Sequence, residues 1–95
     1  MGIEQLLENF EVGKKLKEIK MYTQHGNSFY RDITVKKIEG KYITASAIKE
    51  KDNRVELTMD FGKIIKVDPF PPVDGSFSYM LTDIYGVEIQ CTIIL

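Results

Sequence analysis

Few residues in this chain have the chemistry for catalysis or metal binding, and their spacing argues against both. The only histidine, His25, lies in the polar stretch QHGNS beside Gly26 and Asn27. A metal centre needs several converging ligands, and a histidine base needs a partner to orient it. Neither accompanies His25, which reads as a solvated turn residue. The only cysteine, Cys91, alternates with Val87, Ile89 and Ile93. That alternation places it on a buried strand face as a small hydrophobe, with no histidine nearby to activate a thiolate. A lone cysteine forms no internal disulfide. Asp32, Asp60, Asp74 and Asp83 are dispersed singly, and the sequence has no EF-hand, Walker or G-x-G-x-x-G spacing. No catalytic, cofactor-binding or metal-ligating residue is expected, so neither is enzymatic activity.

Charge and aromatic placement say more. All 13 basic residues fall between Lys14 and Lys66, against seven acids in the same span, a net of +6. The flanking segments carry acids and no bases, so the whole chain has a formal charge of −1. Lysines on solvated strand faces discourage edge-to-edge pairing, which is sufficient reason for their presence. Tyr22, Phe29, Tyr30, Arg31 and Tyr42 lie inside the basic segment. Small barrels bind single strands with such combinations. However, Phe29 alternates with Ile33 and Val35 and is assigned to the core, and the lack of net positive charge counts against nucleic acid as a partner. The remaining outer-face candidates for partner binding are Tyr30, Lys36, Lys37 and Lys49.

The elements that would position these residues follow from periodicity. Ile3, Leu6, Leu7 and Phe10 repeat at helical spacing, predicting a helix within residues 1–12 that ends before Gly13. A helix this short draws its stability from docking. From Lys15 the period becomes two. Strands are expected over 15–23, 29–38 and 41–49, with a polar loop at 50–54. RVELTMDF follows, with Val55, Leu57, Met59 and Phe61 inward, and then KIIKV. Residues 15–67 thus hold five strands. Pro69, Pro71 and Pro72 make 68–75 a loop, because proline cannot join a central ladder. Residues 76–95 read as a hairpin turning at Asp83–Gly86. Ninety-five residues at 43% apolar content make one domain. About six to seven short strands at regular spacing predict a mainly β fold, a small antiparallel split β-barrel with a short N-terminal helix. The acidic start is unlike a secretion signal, and no apolar stretch approaches a membrane span, which predicts a cytoplasmic protein. The apolar end, CTIIL, is expected either to continue into further sequence or to lie centrally in the barrel. Pairing into a homodimer would follow if Phe77, Tyr79 and Leu81 kept an exposed face.

One pattern runs through about residues 8–90: ENFEVGKKLKEI, Phe29-Tyr30, ITVKKIEGKYITASAIKEKDNRVELTMDFGKIIKV and DGSFSYMLTDI. It resembles the YcgR-like N-terminal domain of flagellar brake proteins, which precedes a PilZ domain. Val12-Gly13, Ile38–Ile43, Ala47–Lys49, Val55–Leu57, Gly62–Ile64 and Ser76–Thr82 fall on that pattern, with Ala47 where the family often has proline. The resemblance implies a split barrel with a regulatory role in motility, acting through a protein or an adjacent domain. In that family the PilZ domain binds cyclic di-GMP through R-x-x-x-R and D-x-S-x-x-G stretches. This sequence contains neither, so the chain itself is not expected to bind cyclic di-GMP. The rivals are an Sm- or SH3-like barrel binding nucleic acid, a flavin-carrying split barrel, and a phage-type adaptor subunit.

Overall fold

A computed structural model describes residues 2–49 and 51–95. Helix α1 (Gly2–Leu7) is followed by β1 (Lys15–Thr23), β2 (Gly26–Glu39), β3 (Tyr42–Lys49) and β4 (Asn53–Asp60). A 3-10 turn, Phe61–Lys63, leads into β5 (Ile64–Pro69), and β6 (Ser76–Asp83) and β7 (Glu88–Ile94) complete the chain. All seven strands join one antiparallel sheet in the order β4-β3-β2-β1-β7-β6-β5. Laid flat, seven strands would span roughly 29 Å across a layer only about 10 Å thick. The molecule measures 32 × 28 × 27 Å, so the sheet is curled around its own core. Its two edges, β4 and β5, are consecutive in sequence yet form no ladder with each other among the described residues. The expected mainly β, split-barrel architecture is what the chain adopts, with β7 in an interior position between β1 and β6.

The core is the concave face: Leu16, Ile19, Ile33, Val35, Ile43, Ala45, Ala47, Leu57, Met59, Tyr79, Leu81, Cys91 and Ile93 are buried, joined by Leu6, Phe10 and Phe61. Leu6 and Phe10 come from the N-terminal segment, and the Phe10 and Phe61 rings meet at 5.9 Å. The helix ends at Leu7, sooner than the apolar spacing predicts, and Met1 lies outside the described residues. Beyond Leu7 the backbone tightens to i→i−3 bonds, from the Asn9 amide to the Leu6 carbonyl (3.2 Å) and from the Phe10 amide to the Leu7 carbonyl (3.0 Å), and Asn9 Nδ2 adds bonds to the carbonyls of Leu6 (3.1 Å) and Gln5 (3.4 Å). The same nitrogen donates to Tyr79 Oη at 3.0 Å, fastening the segment to β6. Gly13, at φ +89, then admits a turn that L side chains resist.

The strand β2 departs from simple alternation. Its pairs with β3 run Arg31↔Ile48, Thr34↔Ser46, Val35↔Ala45, Lys37↔Thr44 and Ile38↔Ile43. Three steps on β2 match two on β3 around Asp32, and two match one around Lys36. Each is a β-bulge, which adds a residue and re-aims the side chains beyond it. The first bulge centres on Asp32, whose φ of +51 is left-handed. Against β1 the partners are Ile19↔Tyr30 and Leu16↔Ile33. The inward positions of β2 are therefore Tyr30, Ile33, Val35 and Ile38, not the even alternation from Phe29. Phe29 is 50% exposed and Tyr30 packs against the core. The assignment of Phe29 to the core and Tyr30 to the outer face is thereby reversed. A further bulge at Ile65, between Ile64↔Asp83 and Lys66↔Thr82, turns that isoleucine outward.

Candidate functional site

The aspartates that the sequence scatters along the chain are used structurally wherever their bonds are visible. Asp60 Oδ1 accepts from the Gly62 amide at 3.0 Å and caps the 3-10 turn. Asp83 Oδ1 accepts from the amides of Tyr85 (2.8 Å) and Val87 (2.9 Å), closing the β6–β7 loop. Asp32 Oδ2 takes a hydrogen bond from Arg54 Nη2 at 2.8 Å, while Arg54 Nη1 reaches the Asp32 carbonyl at 3.1 Å. His25 is exposed, its ring nitrogen 3.4 Å from Gln24 Nε2. Cys91 is fully buried between β1 and β6, and burial pushes its thiol up to about 12. A thiol held protonated in this way is a poor nucleophile at neutral pH. Among the described residues, no three His, Cys, Asp or Glu side chains group as a metal site. No described helix is long and apolar enough to cross a membrane.

Of the four residues singled out for partner binding, the fold brings two together. Lys49 Nζ sits 5.3 Å from the Tyr30 ring centroid, a cation–π geometry. This follows from the first bulge, which rotates Tyr30 toward the same side as Lys49 at the barrel rim. Lys36 and Lys37 lie six and seven residues further along β2, opposite the Ala45–Thr44 stretch of β3 and so roughly 15 Å from Lys49 at strand spacing. Both are exposed, because the second bulge leaves two consecutive side chains outward. Lys37 pairs with Glu39 at 3.5 Å, and Lys36 lines a separate shallow depression with Ser46 and Arg54. The four do not form one patch.

Two features escape the linear reading. One is a groove of about 700 Å³ between α1 and the β5–β6 loop. Pro69, Phe70, Pro71, Pro72 and Phe77 supply its apolar wall, and Tyr79, clasped by Asn9, reaches it from the core. Proline runs appear in sequence only as a strand terminator; their role as a wall depends on α1 folding back across the barrel. The other feature surrounds the tip of the β1–β2 hairpin, which extends beyond the β3–β4 hairpin. There Phe29 stands outward with its ring 5.5 Å from Tyr22 at 69°, an edge-to-face pair. The adjacent aromatics at 29 and 30 were a signal for this surface, but only the bulge reveals which one faces out. Leu81 and Tyr79 are buried and Phe77 is half-buried, so the condition for dimerisation through that strand is not met.

Comparison with protein-family models, with curated proteins and with solved structures finds no match.

Proposed function

We propose that this chain is a non-enzymatic regulatory domain that works through contact with a protein or an adjacent domain. In this reading it is a cytoplasmic split barrel of the flagellar-brake type, allied to a PilZ domain in cyclic di-GMP control of motility. The observation that carries the contact reading is the apolar groove between α1 and the β5–β6 loop, walled by Pro69, Phe70, Pro71, Pro72 and Phe77. Prolines have little backbone freedom to lose on binding, so such a wall is organised before a partner arrives. Phe70 keeps 41% of its surface in solvent and offers an anchor of the kind that dominates interfaces. Regulation by this route requires that the partner contact the groove differently in its two states.

The test is a nuclear magnetic resonance titration of the labelled chain. Cyclic di-GMP alone should leave the spectrum unchanged. A PilZ domain from a flagellar-brake protein, added with cyclic di-GMP, should shift Gln5, Asn9, Phe70 and Phe77, and a Phe70→Ala variant should lose that response. Saturable shifts with cyclic di-GMP alone, or a PilZ domain that leaves the groove residues in place, would overturn the proposal.

A further inference from the structure

The exposure of Phe29 removes one of the two sequence arguments against a nucleic-acid surface, and the surroundings of its ring are suited to one. Tyr22 braces Phe29 edge-on and leaves the ring half in solvent. A concavity of about 340 Å³ beside it is lined by Glu18, Asn27, Phe29, Tyr30, Arg31 and Lys49. A second, of about 600 Å³, is lined by Lys15, Lys17, Glu18, Arg31 and Asp32, with Leu16 and Leu95. The two share Glu18 and Arg31, which are directly paired across β1 and β2, so they adjoin and are taken together as one trough. Its acids are already matched: Asp32 by Arg54, and Glu18 by Lys20 at 3.7 Å. Among the described residues Lys15, Lys17 and Lys49 have no carboxylate partner. Arg31 pairs only with Asp52, an exposed pair that a phosphate can displace at little cost.

We infer that this trough binds single-stranded nucleic acid, a base stacking on Phe29 while Lys49, Arg31, Lys17 and Lys15 follow the phosphates. Rings on a cationic groove are the common solution for sequence-tolerant single-strand binding. The overall charge of −1 is no obstacle, since the bases are concentrated in residues 14–66, and a local field steers ligands independently of net charge. Independent of the groove near α1, this surface lies on the β1–β2 hairpin.

Fluorescence anisotropy with labelled oligothymidylate and oligouridylate of about 15 nucleotides, long enough for one barrel's site, tests it. Saturable binding at low salt is expected. Four phosphate contacts give a log–log salt slope of about −2.8, or about a 50-fold loss between about 50 and 200 mM salt. Phe29→Ala, whose folding is checked by circular dichroism, should weaken binding about 5- to 150-fold. Lys15→Gln with Lys17→Gln should flatten the slope by about 1.4. No saturable binding at low salt overturns the inference. So does inorganic polyphosphate binding equally well to the wild type and to Phe29→Ala while that variant keeps full oligonucleotide affinity, for the surface would then be a charge patch without stacking.

Discussion

The β3–β4 and β1–β2 hairpins lie side by side in one sheet, and they handle their side chains in different ways. The β3–β4 ladder runs without interruption from Tyr42↔Asp60 to Lys49↔Asn53. Its inward positions, Ile43, Ala45 and Ala47 against Leu57 and Met59, are buried, while Glu56, Thr58 and Asp60 are exposed. In the β1–β2 hairpin the inward positions are Leu16, Ile19 and Met21 on one strand and Tyr30, Ile33 and Val35 on the other. The inward spacing is three residues at the level of Asp32 and two elsewhere. The regular hairpin builds a wall of core and offers solvent an ordinary polar face. The bent one loses its alternation for a few residues, and at that place it sets Phe29, Arg31 and Lys17 outward around two concavities. The bend that β1 and β2 share between Leu16↔Ile33 and Ile19↔Tyr30 is what exchanges the inward and outward sense of Phe29 and Tyr30.

This contrast can be broken experimentally. The largest effect is expected in the regular hairpin. Ile43 is fully buried opposite Met59, so Ile43→Ala should cost about 2–5 kcal/mol in urea unfolding, as cavity-forming core truncations do. Loss of less than about 1 kcal/mol would mean that this wall is not close-packed.

Next is the strand on which the β1–β2 hairpin rests. Cys91 stands opposite Met21, and its thiol is raised from 9.0 to about 12 by burial. Below pH 9.0 the thiol is neutral in both the folded and unfolded chain, and its contribution to stability is complete. Above that value the unfolded chain releases the proton and the folded chain does not. Stability should therefore fall as pH rises from 9.0 toward about 12, with this group contributing about 1.4 kcal/mol per pH unit. Urea midpoints of wild type and Cys91→Ala, compared between about pH 8 and 10.5, should diverge in slope. Parallel curves would show that the thiol ionises without resistance.

The bulge itself comes third. Asp32 holds a left-handed backbone, so Asp32→Val should cost about 1–2 kcal/mol through its branched side chain. Asp32→Gly should change stability by less than about 0.5 kcal/mol, because glycine accepts that conformation and exposed ion pairs contribute little. Equal costs for the two would place the importance of Asp32 in its bond to Arg54. The smallest stability effect is expected at the exposed ring. Phe29→Ala should shift the unfolding free energy by less than about 0.5 kcal/mol, while Tyr30→Ala, which removes a ring packed on the core, should cost clearly more. A reversed order would restore the even alternation that the sequence suggests.

How much of this was legible beforehand differs by region. The number and order of the strands, the bounds of β1 and the β4 burial pattern follow from a two-residue period and from glycine and proline placement, which are local properties. β2 beginning at Gly26 in the expected turn, β4 beginning at Asn53 in the expected loop and β5 continuing through Pro69 in the expected 68–75 loop do not, because pairing with neighbouring strands sets those ends and an edge strand accepts proline. The N-terminal helix was legible as an apolar face, but its end was not, because the segment after Leu7 tightens to i→i−3 bonds and is fastened by Asn9 to Tyr79, 70 residues away in sequence. Of the proposed contact residues, Tyr30 and Lys49 meet and Lys36 and Lys37 stand apart, since the inward or outward sense of a β2 residue depends on how many bulges precede it.

By itself, the sequence determined the class of fold: alternating apolar residues over short segments can bury one face only by forming an antiparallel sheet, and a sheet of this length must curl to cover its core. Register was decided by tertiary structure alone. A bulge changes no composition and little local propensity. It is chosen because Leu16, Ile19, Ile33 and Val35 can all reach the core only if β1 and β2 bend together, and that shared requirement is what turns Phe29 out to solvent.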